Sequence, residues 1–195
     1  MRLTRFLALL STLAILAFAA AGCGGGDSSS ASGTKPETWS ADVCGALQTW
    51  EDDLKSGSQQ LSSDIQSSTD LKSVKQKLVA FLQNAQQSTD KMVADVKSAG
   101  APAVKDGPAI QSDLESGLTE ARGSFQHAVT QAKKLPTNDP RALTTGLSSL
   151  AQTIQGELTA TGNHFSNLDT KYDVGDLNKA MAAEPSCKPF VSSSG

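Results

Sequence analysis

Histidine, tyrosine and tryptophan are scarce in this 195-residue chain: two, one and two residues. That leaves little imidazole or phenol for acid–base or metal chemistry. Phosphate-binding Walker loops, the G-x-S-x-G nucleophile turn, H-E-x-x-H and EF-hand loops are all missing. No C-x-x-C pair occurs, so a structural zinc or haem attachment site has no ligands at the needed spacing. Blocks of five or more Lys/Arg are also lacking, and with them any sequence sign of nucleic-acid binding or a polybasic lipid patch. No stretch alternates apolar and polar residues for long enough to indicate a β-strand.

The two histidines are poorly placed for metal binding. Neither His127 nor His164 has a His, Cys or carboxylate three or four residues away on the same helical face. Glu120 and His127 are seven apart, as are Glu157 and His164. Di-iron carboxylate bundles instead need Glu-x-x-His on two helices. Both histidines are expected to be solvated or half-buried, and Asp52-Asp53 to be a solvated pair on an outer helix face. A glycosidase would need two carboxylates flanking a cleft, which a narrow helical protein does not provide. The expectation is a non-enzyme with no catalytic residues, no metal and no cofactor.

What is present begins at the N-terminus. Arg2 and Arg5 precede an apolar run from Phe6 to Ala21, interrupted by Ser11 and Thr12, and small residues close the segment. This is the layout of a secretory signal. At about 16 residues the run falls short of the roughly 20 needed to span a bilayer as a helix. Ala20-Ala21-Gly22-Cys23 resembles a lipobox, the site where lipoprotein signal peptidase cuts before an acylated cysteine, although the first position more often holds Leu. The resemblance implies a bacterial lipoprotein with Cys23 as the lipidation site. The glycine- and serine-rich stretch after Cys23 and the Ala-rich signal are similar to those of small lipoproteins from high-GC Gram-positive bacteria. Two or three acyl chains hold a protein on a membrane where one is marginal, each buried methylene contributing about 0.8 kcal/mol. The resemblance also places the chain on the extracytoplasmic face of the cell membrane, joined to the bilayer through the lipid.

Removing the signal leaves 15 basic against 20 acidic residues, a net charge of −5. The next segment, Gly24-Gly25-Gly26-Asp27-Ser28-Ser29-Ser30, buries no side chain and reads as a flexible tether. Of the three cysteines, two then remain in an oxidising compartment, so Cys44 and Cys187 are expected to pair. Closing so long a loop contributes about 5 kcal/mol in the chain-entropy model.

Four amphipathic segments follow. Val43, Leu47, Trp50, Leu54, Leu61 and Ile65 form the first stripe. Leu71, Val74, Leu78, Phe81, Ala85, Met92 and Val96 form the second. The third comprises Ile110, Leu114, Gly117, Ala121, Phe125, Ala128, Ala132 and Leu135. The fourth runs Leu143, Leu147, Leu150, Ile154, Leu158, Thr161, Phe165 and Leu168. Ser40 is expected to cap the first helix, with Trp39 outside it as a hydrophobic staple near the disulfide. Ser67-Ser68-Thr69-Asp70 offers a stop for the first helix and a new N-cap for the second. Gly100, Pro102 and Pro108 break the chain before the third, and Asp139-Pro140 starts the fourth. A short terminal helix is expected around Asp176–Ala183.

The fold class is therefore all-α: an antiparallel up-down-up-down four-helix bundle with a short C-terminal helix, closed by one disulfide. Residues 1–22 are assigned to the signal peptide, 23–37 to the tether, 38–190 to the helical domain and 191–195 to a disordered tail. Glycines inside helices (Gly117, Gly123, Gly146, Gly156, Gly162) each cost about 1 kcal/mol relative to alanine, so the fold is expected to lean on its disulfide.

Two functions compete. The first is a non-catalytic interaction or scaffold module of the cell envelope, with an envelope protein as partner and no nucleic acid. The second is a small-molecule or lipid carrier with an apolar pocket lined by Phe81, Met92, Phe125, Ile154 and Phe165. A helical sensor domain is a third idea, but it would need a partner to carry its signal across the membrane.

Overall fold

The computed structural model describes residues 32–191, apart from the side chains of residues 158, 161–166 and 191. The signal segment, Cys23, most of the tether and the last residues of the tail lie outside the described residues. Four long helices follow one another: α1 (Pro36–Gln66), α2 (Leu71–Ala99), α3 (Gly107–Lys133) and α4 (Pro140–Ser166). Three short ones complete the chain: α5 (Leu168–Lys171), α6 (Gly175–Ala183) and α7 (Lys188–Val191), with a 3-10 turn at Pro185–Cys187 before the last. At 1.5 Å per residue, the 27 residues of α3 or α4 measure about 40 Å.

The fold is the expected all-α one, with each long helix antiparallel to the next. Packing is sequential: α1 lies on α2, α2 on α3 and α3 on α4, while α6 and the 3-10 turn return to α1. The apolar side chains gather into two clusters, one toward each end. The near-pole cluster joins Trp39, Val43 and Ala46 of α1, Met92, Val96 and Ala99 of α2, Ile110 and Leu118 of α3, and Leu177 of α6. The far-pole cluster joins Leu82 of α2, Ala128, Val129 and Ala132 of α3, Leu135 just beyond it, and Leu143 and Leu150 of α4. The buried part of α1 is confined to its first turns, and Ile65 near its end is 36% exposed.

The start of α1 departs from expectation. Pro36 occupies the first turn, where its missing N–H is no loss and its fixed φ suits a helix. Glu37 beside it complements the helix dipole. Ser40 is therefore not the cap. It lies inside the helix, fully buried, and its Oγ has no hydrogen-bond partner among the described residues. Trp39 is likewise helical rather than a staple outside the cap, and its indole Nε1 donates to Gly100 O at 2.9 Å and Gln111 Oε1 at 3.2 Å. The remaining caps match the sequence: Asp70 Oδ1 accepts from Ser73 N at 2.9 Å, and Asp139 Oδ1 from Arg141 N at 2.9 Å.

Candidate functional site

The near pole is where the chain enters the domain, and Thr34 is held there by several bonds. Thr34 forms an isolated parallel bridge with Pro102. Its N–H donates to Ala101 O at 2.8 Å, its carbonyl accepts from Ala103 N at 2.7 Å, and its Oγ1 donates to Ala99 O at 2.6 Å. Three bonds from one residue fix the exit point of the tether against the α2–α3 turn. Behind that turn, buried Gln111 accepts from Trp39 and donates through Nε2 to Val96 O and Glu115 Oε1, both at 3.0 Å. The amide thus satisfies backbone and side-chain groups that would otherwise be costly to bury.

Cys44 and Cys187 are joined by a disulfide, with their Cα atoms 5.0 Å apart across 143 residues of sequence. Both are fully buried. The bond ties the 3-10 turn to the third turn of α1, so the beginning and end of the domain share the near pole. An up-down-up-down arrangement brings both ends of the domain to one pole, as this pairing requires.

The segment between α4 and α6 is fastened to α3 by one carboxylate. Asp113 Oδ2 accepts from Lys171 Nζ at 2.6 Å and from the Tyr172 hydroxyl at 2.9 Å. The bond to Asp113, and then that to Tyr172, holds the Lys171 ammonium charged well above the usual lysine range.

The remaining chemically interesting side chains pair across helices. His127 is largely exposed, and its Nδ1 lies 3.4 Å from Glu157 Oε1 on α4. Sequence spacing had placed Glu120 below His127 on the same helix, but the partner is on the next one. The side chain of His164 is outside the described residues. Among the described residues no three His, Cys, Asp or Glu side chains come together in a way that could hold a metal ion. Asp53 is not merely solvated, since its Oδ2 accepts from Ser88 Oγ on α2 at 2.6 Å.

Two open surface depressions stand out. One, of about 370 Å³, is lined by Pro36, Glu37, Ala103, Val104, Asp176, Lys179, Ala180 and Ala183. The other, of about 390 Å³, is lined by Asp42, Gly45, Ala46, Thr49, Asp95, Ser98 and Ala99. The first mixes small apolar residues with three charged ones, and the second is mostly small and polar. Neither includes Phe81, Met92, Phe125 or Ile154, the described members of the set proposed to line an apolar pocket. Met92 and Phe125 are instead buried, at 2% and 5% exposure. Phe165 is outside the described side chains. Among the described residues no helix is long and apolar enough to cross a membrane. No protein-family model, curated protein or solved structure matches this chain.

Proposed function

We propose that this protein is a membrane-anchored extracytoplasmic lipoprotein whose helical domain is a non-catalytic interaction or scaffold module of the cell envelope. Acylated Cys23 is the anchor, and an envelope protein is the partner. The observation that carries the reading is the buried Cys44–Cys187 disulfide lying beyond the lipobox-like Ala20-Ala21-Gly22-Cys23. A bond of this kind belongs to an oxidising compartment, which agrees with export by the N-terminal signal. Thr34, pinned to the α2–α3 turn, gives the tether a defined point of attachment to the domain. Long polar helix faces supply area for contacts, whereas neither surface depression is lined by an aromatic, Leu, Ile or Met side chain of the kind an apolar-ligand carrier uses.

Native mass spectrometry of the full-length lipidated protein, extracted gently from its own envelope, tests the reading. A stoichiometric protein partner is the expected result. A co-purifying small molecule that raises the melting temperature on re-addition would replace it with the carrier function.

A further inference from the structure

The chain is acidic, yet its charges are not evenly spread. The end of the bundle opposite the disulfide is formed by residues 58–78 and 126–148, which turn between α1 and α2 and between α3 and α4. These residues carry six cations (Lys72, Lys75, Lys77, Lys133, Lys134, Arg141) against three carboxylates (Asp64, Asp70, Asp139). The other described residues carry nine Lys/Arg against 16 Asp/Glu. A basic pole thus sits on an acidic body.

The six cations are of two kinds. Lys75 and Lys77 serve the fold: Lys75 Nζ donates to Leu135 O at 3.0 Å, and Lys77 Nζ donates to Asp64 O at 2.9 Å. The Lys75 bond also brings the start of α2 against the chain just beyond α3. Lys72, Lys133, Lys134 and Arg141 are exposed, and among the described residues none of these four side chains forms an ion pair. Lys72 and Arg141 are the second residues of α2 and α4, where the helix dipole favours carboxylates over cations. No acidic residue lies in the first turn of either helix. Beyond the capping carboxylates of Asp70 and Asp139, helix electrostatics give these two cations no favourable site, but an anionic partner would.

We propose that this far pole binds a linear polyanion of the cell surface, a polymer bearing phosphodiester or carboxylate groups. Four exposed cations on three chain segments suit a flexible chain of negative charges. A specific protein interface at this pole would call for an apolar centre, and among the described residues Ile65 is the single large hydrophobic residue exposed there. The direction the pole faces rests on the anchored reading. Ten residues separate Cys23 from Thr34, a reach of at most about 40 Å at full extension. The bundle itself is about 40 Å long. Laying the far pole on the bilayer would therefore demand an almost fully extended tether, whereas a polymer outside the membrane is met without strain.

The test is fluorescence anisotropy of labelled linear polyphosphate with the purified full-length chain, in detergent where it is lipidated. Four phosphate contacts correspond to a slope of about −3 in log K against log salt, or roughly fifty-fold weaker binding between about 50 and about 200 mM salt. Replacing Lys72, Lys133, Lys134 and Arg141 together by Gln is expected to weaken low-salt binding at least tenfold. The charge-matched set Lys35, Lys97, Lys105 and Lys179, changed to Gln, should leave it unaltered. Arg141→Gln alone should make the salt slope shallower by about 0.7, which covers the case of a poorly folding quadruple variant. No binding at low salt, or equal losses in both sets, overturns the proposal. Vesicles containing phosphatidylglycerol that bind as tightly through the same four residues would also overturn it, in favour of a membrane contact. Because binding is read in solution, failure here is distinct from failure of the anchor, which is read by cell fractionation of Cys23→Ser.

Discussion

The indole Nε1 of Trp50 on α1 donates to the hydroxyl of Thr89 on α2 at 2.9 Å, and that hydroxyl donates in turn to Ala85 O at 2.8 Å. Thr89 is completely buried between the helices. Its hydroxyl lets a polar side chain sit inside the α1–α2 interface because both of its roles are used.

Thr89→Val preserves the shape of the side chain but strands the indole N–H against an apolar methyl. Leaving a buried donor without an acceptor costs about 1–3 kcal/mol, and the half-buried Trp50 indole should fall toward the lower end. Urea unfolding should show a lower midpoint with an unchanged slope. A change within about 0.5 kcal/mol, the range of surface substitutions, would mean that water replaces the lost acceptor.

The disulfide should be a principal support of stability. Cys44 and Cys187 span 143 residues, and both sulfurs are buried. Cys44→Ala combined with Cys187→Ala is expected to lower stability by about 2–5 kcal/mol. Thermal unfolding with and without reductant should show the same loss in the unaltered chain. An unaffected melting temperature would leave the helix packing as sufficient by itself.

Helical glycines should divide by their surroundings. A Cβ at Gly123 or Gly156 would meet nothing within 4 Å, so alanine there should stabilise by up to about 1 kcal/mol through helix propensity. At Gly107 a Cβ would lie 2.0 Å from the carbonyl oxygen of Pro102. Gly107→Ala must therefore disturb the α2–α3 turn that holds Thr34, and should destabilise. Calorimetry on the three variants checks both signs, and a stabilising Gly107→Ala would contradict the turn geometry.

Much of this architecture is legible in the sequence because it depends on local rules. The stripe from Ile110 to Leu135 names residues that are nearly all buried, as Ala121, Phe125, Ala128 and Ala132 show. Asp70 and Asp139-Pro140 carry their capping chemistry in the sequence itself. Ser40 offers a good capping side chain in the sequence, yet Pro36 begins α1 a turn earlier and the Thr34 bridge supports it there. Leu82 escaped the second stripe because its neighbour Phe81 fits the same spacing, although Leu82 is the more deeply buried. The pairs His127–Glu157 and Asp53–Ser88 join side chains 30 and 35 residues apart, which no single-helix spacing rule relates. The basic pole was hidden for the same reason. It is assembled from three separate segments, none of them a block of cations.

The anchor underlies the proposed role, and Cys23→Ser tests it most directly. After cell fractionation, the unaltered protein should pellet with membranes and require detergent for release, while Cys23→Ser should appear in the soluble fraction. Retention of Cys23→Ser on the membrane to the same extent as the unaltered chain would contradict lipid anchoring through this residue.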